Sequence, residues 1–166
     1  MALVLAKLTD ALLAMDQEGG FSPSAAAGAQ DFVNAYSTWA ADADATYGQI
    51  TTAAASAGPM LAALLPVFEG GPAGTMDAAA TASAIAAACN AFWIPALFAG
   101  TWPGVVTGVT GGPDLEAALL DIATSHGGGS RAGSCRSLAD AFTAHAQSVL
   151  VLFTTNTGPL GPVPVN

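Results

Sequence analysis

Charged residues are scarce in this chain. Asp, Glu, Lys and Arg together make up 9% of its 166 residues, whereas 52% are hydrophobic. Soluble domains usually carry about 25% charged residues, and charge of one sign keeps their copies apart in solution. The shortage indicates that much of the surface is small and neutral or is covered by neighbouring subunits. It therefore favours a protein that assembles.

Positive charge is the scarcest of all. The chain holds three basic residues against twelve acidic ones, has a net charge of -9, and has no Lys or Arg between Lys7 and Arg131. A nucleic-acid-binding surface needs a basic stripe to neutralise phosphates, and attraction to anionic lipid needs a basic cluster. We therefore expect neither nucleic acid nor membrane as a partner.

Long uninterrupted apolar runs are also missing. Residues 78–113 carry no charge, but Asn90, Pro95 and a Gly/Pro/Thr-rich stretch from Gly100 interrupt them. A membrane span needs about 20 predominantly apolar residues, so we do not expect one here. Lys7 and Asp10 interrupt the first apolar segment and no basic region precedes it, which argues against a secretory signal peptide.

Cysteine is almost absent, with only Cys89 and Cys135. Their spacing matches no metal-binding, redox or haem motif. The favoured interpretation is two buried free thiols, which behave as small hydrophobic side chains. A disulfide stays open as the alternative, provided that their helices pack antiparallel.

No constellation of catalytic residues is visible in the sequence. His126 adjoins a run of glycines and His145 lies on an apolar stripe, where a histidine is usually a hydrogen-bonded packing residue. The segment 127–134 is glycine-rich, but it lacks the Gly-Lys-Ser/Thr of a phosphate-binding loop. Asp42 and Asp44 have the spacing that starts a calcium loop, without its glycine and later Glu. We predict no catalytic, cofactor-binding or metal-binding residues, and no enzymatic activity.

What the chain does have is an internal repeat. A short helical segment with an Ala-Leu-Leu core and following glycines occurs three times, around Leu12, Leu64 and Leu119, at a spacing of roughly 55 residues. Tyr36 and Phe92, each preceded by Asn-Ala, lie the same number of residues before Gly48 and Gly104. The segments after the long helices match as well: 47–51, 103–107 and, more loosely, 160–163. The alternative is chance similarity among Ala/Leu helices.

Hydrophobic periodicity and breakers predict six helices with short extended segments. The first helix covers 2–17, and the second begins at Ser22-Pro23 with Phe32, Tyr36 and Trp39 on one stripe. The third helix begins at Gly58-Pro59 and ends or kinks at Pro66. The fourth begins at Thr75 or Asp77, and the fifth at Pro113. The sixth begins at Ser134 and has His145, Val149 and Leu152 on its apolar stripe. Strands are expected near 47–52 and 105–110.

The predicted fold class is mainly α: three helical-hairpin repeats with short extended or β segments and a Pro-rich C-terminal arm. A single helical domain covers 1–157, with repeats at about 1–57, 58–111 and 112–157. Residues 158–166, with three prolines, form the extended arm, without internal hydrogen bonds.

Interface candidates follow from exposed turns, the arm and the few cations. Trp and Tyr dominate binding hot spots, a helix N-terminus can contact an acidic partner, and a Pro-rich arm can reach a neighbour. For the two arginines, pairing with carboxylates of this chain or a neighbour is the preferred alternative. The candidate residues are Trp102, Pro103, Arg131, Arg136, Pro159, Leu160, Pro162 and Val163.

The stretches Ala91–Gly112 and Leu138–Pro162, and the plan of Ala/Leu helices ending in a Pro-rich arm, resemble small Ala/Gly-rich virion structural proteins of tailed bacteriophages. The resemblance implies a non-enzymatic head, neck or tail component located in the virion. Its partners would be other virion proteins and further copies in a symmetric homo-oligomer, with no cofactor. A secreted or surface-displayed helical interaction module is the second hypothesis, and a small helical enzyme using His145 is the third.

Overall fold

The structure is a computed structural model that describes residues 3–15, 24–70, 76–125 and 130–166. These residues form helix pairs and strand pairs in alternation, three times over. The elements are α1 (Leu5–Met15), α2 (Ala25–Ala40), β1 (Asp44–Ala45), β2 (Gly48–Ile50), α3 (Ala53–Gly70), α4 (Ala78–Trp93), β3 (Leu97–Gly100), β4 (Gly104–Val109), α5 (Gly112–Thr124), α6 (Arg131–Gln147), β5 (Val149–Thr155) and β6 (Gly158–Pro164).

The mainly α prediction is wrong, because the strands join into one extensive sheet. Helices contain 62% and strands 20% of the described residues, so the fold is mixed α/β. Residues 149–155 show the reason. Val149 and Leu152 continue the apolar spacing of the preceding helix, but the run Val-Leu-Val-Leu-Phe also has the alternation of a half-buried strand, and the chain adopts the strand.

The helix ends follow from local capping chemistry. Ser24, Asp77 and Ser130 each accept a hydrogen bond from a backbone N–H in the first turn of the helix that follows, which satisfies a donor that has no helical partner. Ser130, rather than the predicted Ser134, therefore begins α6. Pro113 lies in the first turn of α5, as predicted. The predicted features at Gly19-Gly20, Ser22-Pro23 and Thr75 fall outside the described residues.

Helix α3 departs most from its prediction. It begins at Ala53 and continues past both Pro59 and Pro66. Each proline removes one N–H and deprives the carbonyl four residues earlier of its helical donor. Those carbonyls belong to Ala55 and Ala62, and both residues are exposed, where water can replace the missing donor. The prolines therefore neither start nor end the helix.

The three helix-plus-strand units share a buried pattern. Equivalent positions in α1, α3 and α5 are buried, and so are equivalent positions in or just after α2, α4 and α6. The first set is Leu8/Met60/Leu115 and Leu12/Leu64/Leu119, and the second is Tyr36/Phe92/Phe142 and Ala40/Ala96/Ala146. The repeated Ala-Leu-Leu segments thus supply one buried leucine each, and the repeat has a structural counterpart.

The six helices close into a ring. Each packs on its neighbours in sequence, and α1 also packs on α6. Inside the ring, the Tyr36 ring meets those of Phe92 and Phe142 edge-on at centroid distances of 5.1 and 5.7 Å. The Trp93 Nε1–H donates to the Tyr36 hydroxyl at 2.9 Å. Aromatic pairs of this geometry add stability beyond their buried area, so the three units meet at a shared aromatic centre.

The six strands form an antiparallel meander in the order β1-β2-β3-β4-β5-β6. Its two ends are tied together by residues that follow β6. Val165 bridges to Ala45, and the Asn166 N–H donates to the Asp44 carbonyl at 2.7 Å. The predicted free arm is therefore wrong: residues 158–164 are a strand hydrogen-bonded to β5. A strand partner satisfies backbone groups that an isolated arm would leave to water.

One described helix, α3, is long and apolar enough to cross a membrane by length and composition, with a mean hydropathy of 1.3. It packs between α2 and α4 in the helical ring. Met60, Leu64 and Val67 form its buried face. Buried residues make up 28% of its length.

Candidate functional site

The outer face of the sheet exposes apolar side chains. Along β5, Val149, Val151 and Phe153 are buried on the inner face of the sheet, whereas Leu150 and Leu152 alternate with them and are half-buried. Side chains of directly paired residues lie on the same face of a sheet. The outward-facing residues of β5 and its partners therefore form one continuous surface.

Three of these residues form a row across neighbouring strands. Leu97 in β3 pairs with Val105 in β4, and Val105 pairs with Leu152 in β5. Leu97 is 46% exposed and Val105 47%. We call Leu97, Val105 and Leu152 the outer row. Contiguous exposed apolar groups usually mark a place where another molecule binds.

The sheet around the outer row carries no charge. Strands β3 to β6 contain no Asp, Glu, Lys or Arg, and Asp44 in β1 supplies the one charge in the described strands. Of the other nine described carboxylates, seven lie on helices, and Asp42 and Asp77 lie next to helix ends. A partner meeting this face would therefore bury no unpaired charge of these strands, and so avoids a strongly destabilising contribution.

The edge of the sheet along β6 is unsuited to pairing with another strand. Pro159, Pro162 and Pro164 have no N–H to donate, and proline is a common means of protecting an exposed edge. A partner would consequently contact the face of the sheet through side chains.

The structure brings two of the predicted interface segments together. Trp102 and Pro103 lie in the turn between β3 and β4, where the Pro103 carbonyl accepts a hydrogen bond from Thr154 of β5 at 3.0 Å. Thr154 in turn pairs with Pro159 in β6. Pro103 and Pro159 are exposed, whereas Trp102 is half-buried and packs against the core. Trp102 is therefore in part a structural residue.

The remaining interface candidates are divided between the two ends of the molecule. Leu160 and Pro162 are exposed in β6 and Val163 is half-buried opposite Val151. Arg131 and Arg136 are exposed in the first turns of α6. This helix has 17 residues and so spans about 25 Å before the chain enters β5. The arginines do not share a surface with the sheet candidates.

Sequence reasoning missed all three residues of the outer row, Leu97, Val105 and Leu152, although it placed Val105 in a predicted strand. Leu97 follows a proline and lies in a strand of four residues, too short to show alternation. Leu152 lies in a segment of alternating buried and half-buried residues, but it also continues the helical spacing of the preceding segment and was therefore assigned to the sixth helix. The signal that could have found them is the charge-free composition of residues 78–113 and 141–166.

A buried histidine is the most unusual polar group in the described core. His145 is 2% exposed, and its Nε2 lies 2.8 Å from Asn90 Oδ1. Since an amide oxygen can only accept, Nε2 carries the hydrogen. Nδ1 has no hydrogen-bond partner among the described residues. Burial lowers the pKa of His145 to about 4, so the ring is neutral at pH 7 and Nδ1 is a free acceptor.

Both cysteines are buried thiols outside any disulfide, which confirms the favoured interpretation over the disulfide. Burial raises the pKa of Cys89 to about 12 and that of the neighbouring Tyr36 well above its usual value. Only a thiolate attacks as a nucleophile or binds a metal, and Cys89 stays a thiol. Across the described ranges, no cluster of three or more His, Cys, Asp or Glu could hold a metal ion.

The described part of the chain thus offers two features of functional interest: the outer row with its charge-free surroundings, and the neutral His145 at the junction of α4, α5 and α6. Their interpretation depends on their own geometry, because no protein-family model, curated protein or solved structure matches this chain.

Proposed function

We propose that this protein is a non-enzymatic structural assembly protein that associates with further copies of itself through the outer row. The observation that carries the proposal is the directly paired, exposed row of Leu97, Val105 and Leu152 on a charge-free sheet. An apolar face of this kind gains free energy when a second surface excludes water from it.

Charge favours a second copy as the occupant of this face. Two copies that each carry -9 repel one another, and the repulsion is strongest where carboxylates approach within the screening length of about 8 Å at physiological salt. Strands β3 to β6 contain no charged side chain. Copies that meet there bring no carboxylate of these strands against one another.

The strength of one such contact can be estimated. Burying a fully exposed Val or Leu side chain contributes roughly 1.5–3 kcal/mol, so a half-exposed one contributes about 1 kcal/mol. Three side chains from each of two copies then provide about 6 kcal/mol, near the lower end of the 4–15 kcal/mol cost of association. Pairwise contact is therefore weak, and a stable assembly needs several contacts per copy.

A phage-like virion is the setting that we propose for such an assembly, as a head, neck or tail component. The low charged fraction and the resemblance to virion structural proteins support this setting. Weak, repeated contacts suit a protein held in symmetric copies beside other virion proteins, since each contact adds to the effective concentration of the next.

Sedimentation velocity over a range of protein concentrations tests self-association. Val105→Glu places a charge in the centre of the outer row, and Val105→Thr replaces an apolar group while keeping a β-branched side chain. The matched control is Ala54→Glu, which adds the same charge at an exposed position of α3. We expect concentration-dependent association of the wild type and of Ala54→Glu, and its loss in both Val105 variants.

Two outcomes contradict the proposal. One is a wild type that stays monomeric at every concentration and salt condition. The other is equal association of wild type and Val105→Glu. Circular dichroism melting of each variant shows whether the fold is intact, so that a loss of association is not mistaken for unfolding.

A further inference from the structure

A groove runs between α5 and α6 on the side of the ring away from the aromatic centre. Its floor consists of small side chains, Ala118 on α5 and Ala141 and Ala144 on α6. The groove has a volume of about 570 Å³ and continues past the same alanines into a recess of about 110 Å³. Alanine floors allow another helix to approach at the short end of the 8–10 Å range of interaxial distances.

The walls of the groove carry acids without bases. Asp121 and Asp140 line the groove and Asp114 lines the recess, and no Lys or Arg lines either. In the described part of the chain, none of the three carboxylates forms a salt bridge. Arg136 lies one turn before Asp140 on α6 and does not pair with it. The groove therefore presents negative charge that no Lys or Arg of the described residues pairs with.

His145 lines the inner end of the recess and adds an acceptor. Its Nε2–H is used by Asn90, which leaves Nδ1 as a buried acceptor with no donor in the described residues. Ser148, which also lines the recess, already donates to the His145 carbonyl at 2.6 Å and accepts from the Gly111 N–H at 2.8 Å. An occupant must therefore supply a hydrogen-bond donor.

We infer that this groove binds a lysine-bearing helix of a partner protein, with one ammonium group directed into the recess at His145. The alanine floor fits a helix, the carboxylates require a cation, and the free acceptor requires a donor. A primary ammonium is both cation and donor on a long flexible stem. This contact is separate from the outer row and can exist whether or not copies of the chain self-associate.

The probe is an alanine-based helical peptide with lysines one turn apart, titrated into the full chain. Its matched control carries norleucine in place of lysine, and butylamine serves as the isolated ammonium. We expect the lysine peptide to bind and to shift amide resonances of α5 and α6. The His145 Nδ1 resonance should move as this atom gains a hydrogen bond. Butylamine should produce the same Nδ1 shift at much higher concentration.

Two double variants separate a specific site from general charge attraction. Asp121→Asn with Asp140→Asn removes two groove carboxylates, and Asp10→Asn with Glu69→Gln removes two exposed carboxylates on α1 and α3. Each pair changes the net charge equally. Exposed ion pairs contribute modestly, so we expect about fivefold weaker binding for the groove pair and little change for the control pair. Ala144→Leu, which fills the groove, should abolish binding.

The inference is overturned by any of three results: no binding of the lysine peptide, equal binding of the norleucine peptide, or equal weakening by the two double variants. An unmoved Nδ1 resonance in a lysine-peptide complex would also overturn it. All substituted positions are exposed, so each variant is expected to fold. Loss of peptide binding with intact self-association would separate this site from the outer row.

Discussion

Protonation of His145 should destabilise the fold in mild acid. The side chain is 2% exposed, and its pKa is lowered by burial from 6.5 to about 4. The unfolded chain thus binds a proton at His145 between pH 6.5 and 4 while the folded chain does not. Stability falls with decreasing pH wherever the unfolded state binds more protons. The loss from this residue begins near pH 6.5 and levels off below pH 4.

The size of the effect follows from the same two pKa values. Each unit of pKa difference corresponds to 1.36 kcal/mol, so the full difference is worth about 3 kcal/mol. A domain of this size is stable by roughly 5–15 kcal/mol. One buried histidine would therefore remove a considerable part of the total.

Urea denaturation followed by circular dichroism, at constant ionic strength and several pH values from 7 to 4, measures the effect. His145→Gln is the reference, because glutamine can also donate to Asn90 Oδ1 and does not titrate. The free energy of unfolding of the wild type should fall by about 3 kcal/mol more than that of the variant. Carboxylate titration is common to both proteins and cancels in the difference. A difference that is independent of pH would refute the reasoning.

Three further predictions concern two glycines and the sheet. A Cβ at Gly104 would lie 2.6 Å from a ring carbon of Phe153, so Gly104→Ala should lower the free energy of unfolding by about 1–3 kcal/mol. Gly58 has open space around it in α3, so Gly58→Ala should raise the free energy of unfolding by about 0.5–1 kcal/mol. Chemical denaturation of the two variants should therefore show changes of opposite sign in this free energy. Deleting residues 158–166 should abolish cooperative unfolding, because it removes β6 and the bonds that close the sheet; a truncated chain that melts as the full one does would contradict the described strand pairing.

The repeat illustrates how far sequence reasoning reached. Leu12, Leu64 and Leu119 identified equivalent helices, since a buried position recurs in each unit whatever the neighbouring loops do. The same reasoning aligned Leu160-Gly161 with the start of the earlier strands. In the structure, Gly158 occupies the place of Gly48 and Gly104 at the start of the second strand of its pair. Short motifs in composition-biased segments carry too little information to fix such offsets.

The candidate sites were less accessible from the sequence. His145 was recognised as a packing residue, but its partner Asn90 lies on a different helix and no local pattern links them. The outer row joins residues from β3, β4 and β5, and the α5–α6 groove depends on which faces of two helices meet. Sites of this kind depend on which helices and strands pack together, and the periodicity of one helix or strand carries no information about its neighbours.

The sequence by itself determined the six helices seen among the described residues, the start of α4 at Asp77, the first-turn proline of α5, the buried leucines of each unit and the scarcity of basic charge. These features depend on spacing within a turn or on composition. Tertiary structure decided that the Pro-rich end is a strand and that α6 stops before Val149. It also decided that the three helix-plus-strand units form one ring of helices and one sheet. An apolar run can satisfy its backbone hydrogen bonds as helix or strand, and the choice between them depends on which partner strand is available.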